Sequence, residues 1–173
     1  VPAMVRWPGK IKPGSVCNGI VQHHDWLPTF LEMAGAPDVV EKLKKGYKAI
    51  GRTYKNHIDG YNLLPYLTGK SKDSPRGFYF YFSDDADMIG LRFDNWKIVF
   101  MEQRLPGTLG VWAEPFVRLR LPKLFNLRTD PFEFASVTSN TYFEWMMRRA
   151  YIILAASTMA ARCSSGVVSA SDL

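Results

Sequence analysis

MIGLRFDNWKIVFM, residues 88–101, is the stretch that decides the fold. Met88–Phe93 and Trp96–Met101 are strand-forming runs on either side of Asp94-Asn95, a pair that suits a two-residue type I′ turn. Strand alternation puts Trp96, Ile98 and Phe100 on one face, and Lys97, Val99 and Met101 on the other. Upstream, the aromatic run Phe78-Tyr79-Phe80-Tyr81-Phe82 reads as another strand. Downstream, residues 103–116 form a loop rich in Pro and Gly, and KLFNL at 123–127 reads as a fourth strand before the Asp130-Pro131 turn. Residues 76–127 are therefore expected to make a small antiparallel sheet of four strands. Thr141 with Glu144 opens a last helix, whose apolar face of Phe143, Met146, Met147, Ala150, Ile153 and Leu154 is expected to cover that sheet.

The first half of the chain reads differently. PAMVRW at 2–7 suggests a short buried strand ended by Pro8-Gly9, and residues 16–21 suggest a second short strand. Asp25 is placed to cap a helix in which Leu27, Phe30, Leu31 and Ala34 share one apolar face, with Gly35 as its stop. Asp38 with Glu41 resembles a capping box for a short helix through Lys45. Residues 46–58 read as a polar connection, Leu63–Leu67 as a helical turn closed by Gly69, and 70–76 as a loop. Residues 157–173 hold no aromatic side chain and only Arg162 and Asp172 as charges, and are expected to be disordered.

Composition narrows the function classes. With 173 residues, 47% hydrophobic and 22% charged, the chain is neither a disordered segment nor a disulfide-knotted miniprotein. No apolar run approaches the ~18 residues of a membrane span. The net charge of +6 comes from scattered Lys and Arg, which argues against nucleic acid as a partner. The two cysteines, Cys17 and Cys163, sit in no metal-ligand spacing, and the three histidines are too few for a self-contained zinc site. Dinucleotide-binding, P-loop and serine-hydrolase motifs are missing.

Five stretches then occur in order: VPAMVRWPGKIKPGSV (1–16), HHDWLPTFLEMAG (23–35), HIDGYNLLPYLTG (57–69), LRFDNWKIVF (91–100) and LFNLRTDPFE (124–133). Together they resemble the C-terminal third of a bacterial arylsulfatase, a sulfatase of the alkaline-phosphatase-like superfamily, over roughly residues 1–155. The resemblance implies an α/β fold. Residues 1–72 would be the end of the large sulfatase domain, 73–156 a C-terminal subdomain of four antiparallel strands and a covering helix, and 157–173 a tail with no counterpart in the family.

It also implies a chemistry. Sulfatases hydrolyse sulfate esters with a formylglycine made from Cys or Ser in a C/S-x-P-x-R motif, assisted by a divalent cation, usually calcium, on oxygen ligands. Cys17 precedes Asn18-Gly19-Ile20 and Cys163 precedes Ser164-Ser165-Gly166, so neither fits that motif. No catalytic or metal-binding residue is expected in this chain, and the family's last catalytic lysine and E-G-G-x-R motif would lie just before Val1. The expectation is a fragment that is inert alone and binds no cofactor, from a parent acting on a small-molecule sulfate ester.

The candidates left for substrate contact are Gln103, Arg104 and Trp112 in the long loop, and His23. An Arg suits an anion and a Trp an aromatic ring. The alternatives are a solvent loop with one buried Trp, and local hydrogen bonding for His23-His24; His57 beside Asp59 suits a structural turn. A phosphodiesterase or phosphonate monoester hydrolase of the same superfamily would share fold and metal logic, and a free-standing anion-binding module is the reading from another class. Without the large sheet, Leu27, Phe30 and Leu31 are expected to be partly exposed.

Overall fold

The computed structural model describes residues 2–105, 107 and 109–164. The chain divides into two units, Val1–Gly77 and Phe78–Leu173.

In the first unit, a 3-10 turn at His23–Asp25 leads into helix α1, Trp26–Met33. Pro28 sits in its first turn, where a missing N–H costs little, and Gly35 ends the run with φ +85°. Helix α2 covers Val39–Lys45. The expected capping box does not form there. Asp38 takes a left-handed φ of 58°, which is not the extended backbone of a capping residue, and its side chain makes no cap bond. The stretch read as a connection contains a hairpin, β1 (Tyr47–Ala49) with β2 (Arg52–Tyr54). Its turn places Ile50 at φ 50° and Gly51 at φ 72°, the left-handed pair that a type I′ turn requires. An Ile at that position carries no turn signal, so the sequence conceals it. The short helix α3, Leu64–Leu67, follows.

Residues 2–7 are not a buried strand. They pair with no strand among the described residues, and Met4 is fully exposed. A strand needs a hydrogen-bonded neighbour, and none is offered to them. The strand expected at 16–21 reduces to one bridge, Ile20 with Arg76. The apolar face of α1 is open as expected, with Leu27 52% and Phe30 57% exposed. The helix instead buries Pro28 and Thr29.

The second unit is a four-stranded antiparallel sheet in the order β3 (Phe78–Phe82), β4 (Met88–Phe93), β5 (Trp96–Glu102), β6 (Val117–Asn126). Asp94 adopts the left-handed φ of 46° at the hairpin turn. Phe80, Leu91, Ile98 and Leu124 stand in register as one row on one face. β6 starts six residues earlier than the sequence suggests. Its pairing with β5 shifts between Val99 and Met101, and Pro122 falls in that irregularity, where its missing N–H breaks no regular ladder.

Short helix α4 (Ala135–Thr138) precedes α5 (Tyr142–Met147) and α6 (Ala150–Ser164). Tyr142, Met146, Ile152, Ile153 and Ala156 pack with Leu91, Ile98 and Leu124 in the core. The expected face is therefore corrected: Phe143, Met147 and Leu154 are exposed. Between α5 and α6, Arg149 N–H bonds to Met146 and Ile152 N–H to Arg149, both three residues back. That tighter turn rotates α6 away from the phase of a continuous α-helix. Tyr142 takes the inner position because its hydroxyl accepts the Leu124 N–H (3.0 Å) and donates to the Leu124 carbonyl (3.1 Å) on the free edge of β6. Helix α6 continues to Ser164, through the first eight residues of the stretch expected to be disordered; residues 165–173 lie outside the described residues. No helix among the described residues is long and apolar enough to cross a membrane.

Candidate functional site

The most constrained polar cluster lies in the first unit. The Asp25 carboxylate is fully buried and Arg76 nearly so. Arg76 donates from Nε to Asp25 Oδ2 at 2.8 Å and from Nη2 to Oδ1 at 2.5 Å, a two-pronged ion pair. Its Nη2 also meets the Asp59 carbonyl at 2.9 Å and His24 Nε2 at 2.7 Å. Since the guanidinium can only donate, His24 must accept through an unprotonated Nε2. Burial, then the Arg76 charge, hold the His24 imidazole below its ordinary pKa. The remaining capacity of Asp25 is taken by the N–H groups of Gln22 (2.7 Å) and Tyr61 (2.9 Å). Thr29 extends the network, donating to the Asp25 carbonyl and accepting the Leu63 N–H.

This knot ties the start of α1 to residues 59–63 and to Arg76. Gly60 is required inside it, because a side chain there would overlap the His24 carbonyl oxygen. Sequence reasoning identified Asp25 only as a helix cap and left Arg76 in a loop. No local signal marked the pair, because its two members lie 51 residues apart.

The residues singled out for substrate contact separate. Gln103 is a brace: its Nε2 donates to the carbonyls of Val111 (3.2 Å) and Glu114 (2.8 Å), and its Oε1 accepts the Leu105 N–H. Trp112 ends a 3-10 turn, Leu109–Trp112, in the loop that Gln103 closes, and is 82% exposed, so the alternative of a buried Trp fails. Arg104 is exposed in the same loop. His23 belongs to the other unit and is exposed beside the knot. His57 Nε2 meets Asp59 Oδ1 at 2.8 Å, the local turn expected of it.

A cation site needs converging oxygen, nitrogen or sulfur donors. Among the described residues no three His, Cys, Asp or Glu side chains converge. Asp25, the buried carboxylate, is saturated by Arg76 and two backbone N–H groups. Cys17 is exposed and lacks the maturation sequence. These residues do not fit a divalent cation or a formylglycine.

No family model matches the chain. It is 27% identical over 160 residues to an ulvan-active sulfatase of Formosa agariphila, covering 81% of this chain and 29% of that protein. It is 26% identical over 156 residues to the steryl-sulfatase of Rattus norvegicus, covering 82% of this chain and 25% of the relative. Among solved structures, the PsFucS1 sulfatase of Pseudoalteromonas sp. superposes with a TM-score of 0.56 at 26% identity, over 90% of this chain and 28% of that one. The chain is homologous to sulfatases over most of its length. The sulfatase likeness is longer than either unit, so it spans both. The fold is accordingly α/β of the alkaline-phosphatase-like sulfatase type, with the small antiparallel sheet and its C-terminal helices as described. The chain spans under a third of the length of these sulfatases.

Proposed function

We propose that this chain is the C-terminal part of a sulfuric ester hydrolase of arylsulfatase type, and that it supplies framework and substrate contacts while the reacting groups lie elsewhere in the polypeptide. The observation that carries this reading is the coverage: sulfatases match most of this chain, and the chain spans only about a quarter to under a third of each. In this reading the first unit is the end of the large α/β domain, and the second is the C-terminal subdomain. Formylglycine and a calcium-like cation belong to the rest of the protein. Within the second unit, the braced loop offers Arg104 and Trp112 as contacts for the organic part of a small-molecule sulfate ester, with Gln103 fixing its shape; His23, in the first unit, is a separate candidate contact. An exposed indole on a braced turn suits a flat ring, and a guanidinium suits an anion.

The test is a substrate panel with the longer protein that contains this chain: 4-nitrophenyl sulfate, 4-nitrophenyl phosphate and bis(4-nitrophenyl) phosphate. Preferential release of nitrophenol from the sulfate is expected. Hydrolysis confined to the phosphate diester would replace this reading with a phosphodiesterase.

A further inference from the structure

The two edges of the four-stranded sheet are finished differently. Backbone hydrogen bonding can be counted outward from the turn at Asp94-Asn95. The residues flanking a two-residue hairpin turn form a hydrogen-bonded pair, so Phe93 and Trp96 turn their N–H and C=O groups toward each other. Alternation then points those of Arg92 at Tyr79 in β3, and those of Lys97 at Phe125 in β6. On the outside of β6 this leaves Leu124, whose N–H and C=O both meet the Tyr142 hydroxyl. The same strand carries Arg118, Arg120 and Pro122, the charges and missing donor that keep other strands away. On the outside of β3 the count leaves the N–H and C=O groups of Phe78, Phe80 and Phe82. No strand among the described residues pairs with them. β3 holds no charge and no proline, and its register with β4 shifts only at its last residue. An uncharged aromatic edge of this kind is a template for another strand.

We propose that the strand it takes is β3 of a second copy of this chain, in a closed two-fold dimer whose sheet runs on from one copy to the other. The sequence of β3 argues for that occupant. Phe78-Tyr79-Phe80-Tyr81-Phe82 reads the same in both directions, so an antiparallel copy centred on Phe80 sets like against like. Phe80 faces its own counterpart, Phe78 faces Phe82 of the partner subunit, and Tyr79 faces Tyr81 of the partner subunit. The outward N–H and C=O groups of the three phenylalanines then meet only one another, each opposed pair exchanging both bonds. Cross-strand aromatic pairs add to the contact, and no like charges oppose each other. The partner strand also ends in time. Ser83 N–H bonds to the Asp87 carbonyl and turns the chain back, so the added strand stops opposite Phe78, short of Arg76, which already pairs with Ile20. Such a contact is self-complementary and closes at two copies. It uses the second unit and stands whether or not the parent protein is a sulfatase.

Sedimentation velocity of the 173-residue chain over a concentration series tests it, with a monomer–dimer equilibrium as the expected result. Phe82→Lys changes an exposed side chain and puts a charge opposite Phe78 at both ends of the joint, so it should weaken the dimer by at least about tenfold. Leu154→Lys, on the exposed side of α6, should leave the dimer unchanged. Crosslinking then reads the register. With Cys17→Ser and Cys163→Ser as background, Phe80→Cys places two thiols across the two-fold axis, within disulfide reach. Phe82→Cys places them about 13 Å apart, out of reach. Oxidation should therefore link the first variant and not the second. Should Phe80→Cys fail to fold, Phe82→Lys decides the question. A chain that stays monomeric at high micromolar concentration leaves this edge to another segment of the longer protein and overturns the proposal. So does a dimer that Phe82→Lys leaves intact, an open series of larger species, or a folded Phe80→Cys variant that does not crosslink.

Discussion

In the first unit polar side chains share the interior with hydrocarbon; in the second the interior is hydrocarbon and aromatic. Asp25, Thr29 and Arg76 sit at the heart of the first, with Leu63 and Tyr66 the buried apolar side chains beside them. The second encloses Leu91, Ile98, Leu124, Met146 and their neighbours. Packing of hydrocarbon tolerates imperfect partners and declines by degrees. A buried ion pair is all or nothing, because removing one partner leaves the other charge uncompensated. The first unit also leaves Leu27 and Phe30 open to solvent, so its apolar surface is poorly used.

The sharpest break of this contrast is Arg76→Met. It strands the Asp25 carboxylate and should cost about 3–5 kcal/mol, enough to unfold a unit of this size. Amide hydrogen exchange should then show residues 2–77 unprotected and the strands of the second unit still protected. The reciprocal change, Ile98→Ala, should cost about 3 kcal/mol and strip protection from β3–β6 only. Equal loss in both units from either change would refute the separation.

Tyr142→Phe comes next. The packing of the ring survives, but the Leu124 N–H and carbonyl lose their shared hydroxyl on the sheet edge. A destabilisation of about 2 kcal/mol should appear in urea unfolding of the second unit; a neutral effect would mean that water replaces the hydroxyl there.

The smallest effect is pH dependence, and it should distinguish the units. The His24 imidazole sits below its ordinary value of 6.5 when folded, first through burial and then through Arg76. The unfolded chain therefore takes up this proton at higher pH than the folded one. The contribution is complete above pH 6.5 and drains as pH falls below it toward the folded value. The first unit should lose exchange protection over that window, and His24→Gln, which keeps an acceptor for Arg76, should flatten the loss. All three histidines lie before residue 78, so the second unit should show no matching step.

The second unit was far more legible in the sequence than the first. Alternation in residues 96–101 named both faces of β5, and the two-residue turn at Asp94-Asn95 fixed its pairing with β4. The helical cover was legible in kind but not in rotation, since the 3-10 turn at Arg149 carries no sequence mark. In the first unit, period and capping signals found α1 and the exposure of its apolar face was expected; what they did not show is the buried Thr29 side, held by hydrogen bonds to residues 34 and more positions away. The Asp25–Arg76 pair spans 51 residues and leaves no local pattern. Gln103 was picked as a contact and serves as a brace, because an amide beside a Pro/Gly loop fits both roles until its partners are seen.

Under the proposed function, these residues support a sulfatase without carrying its chemistry. The most direct test is turnover of 4-nitrophenyl sulfate by the purified 173-residue chain in the presence of calcium. Nitrophenol release no faster than in buffer is the predicted result; steady turnover that scales with the amount of chain would contradict it.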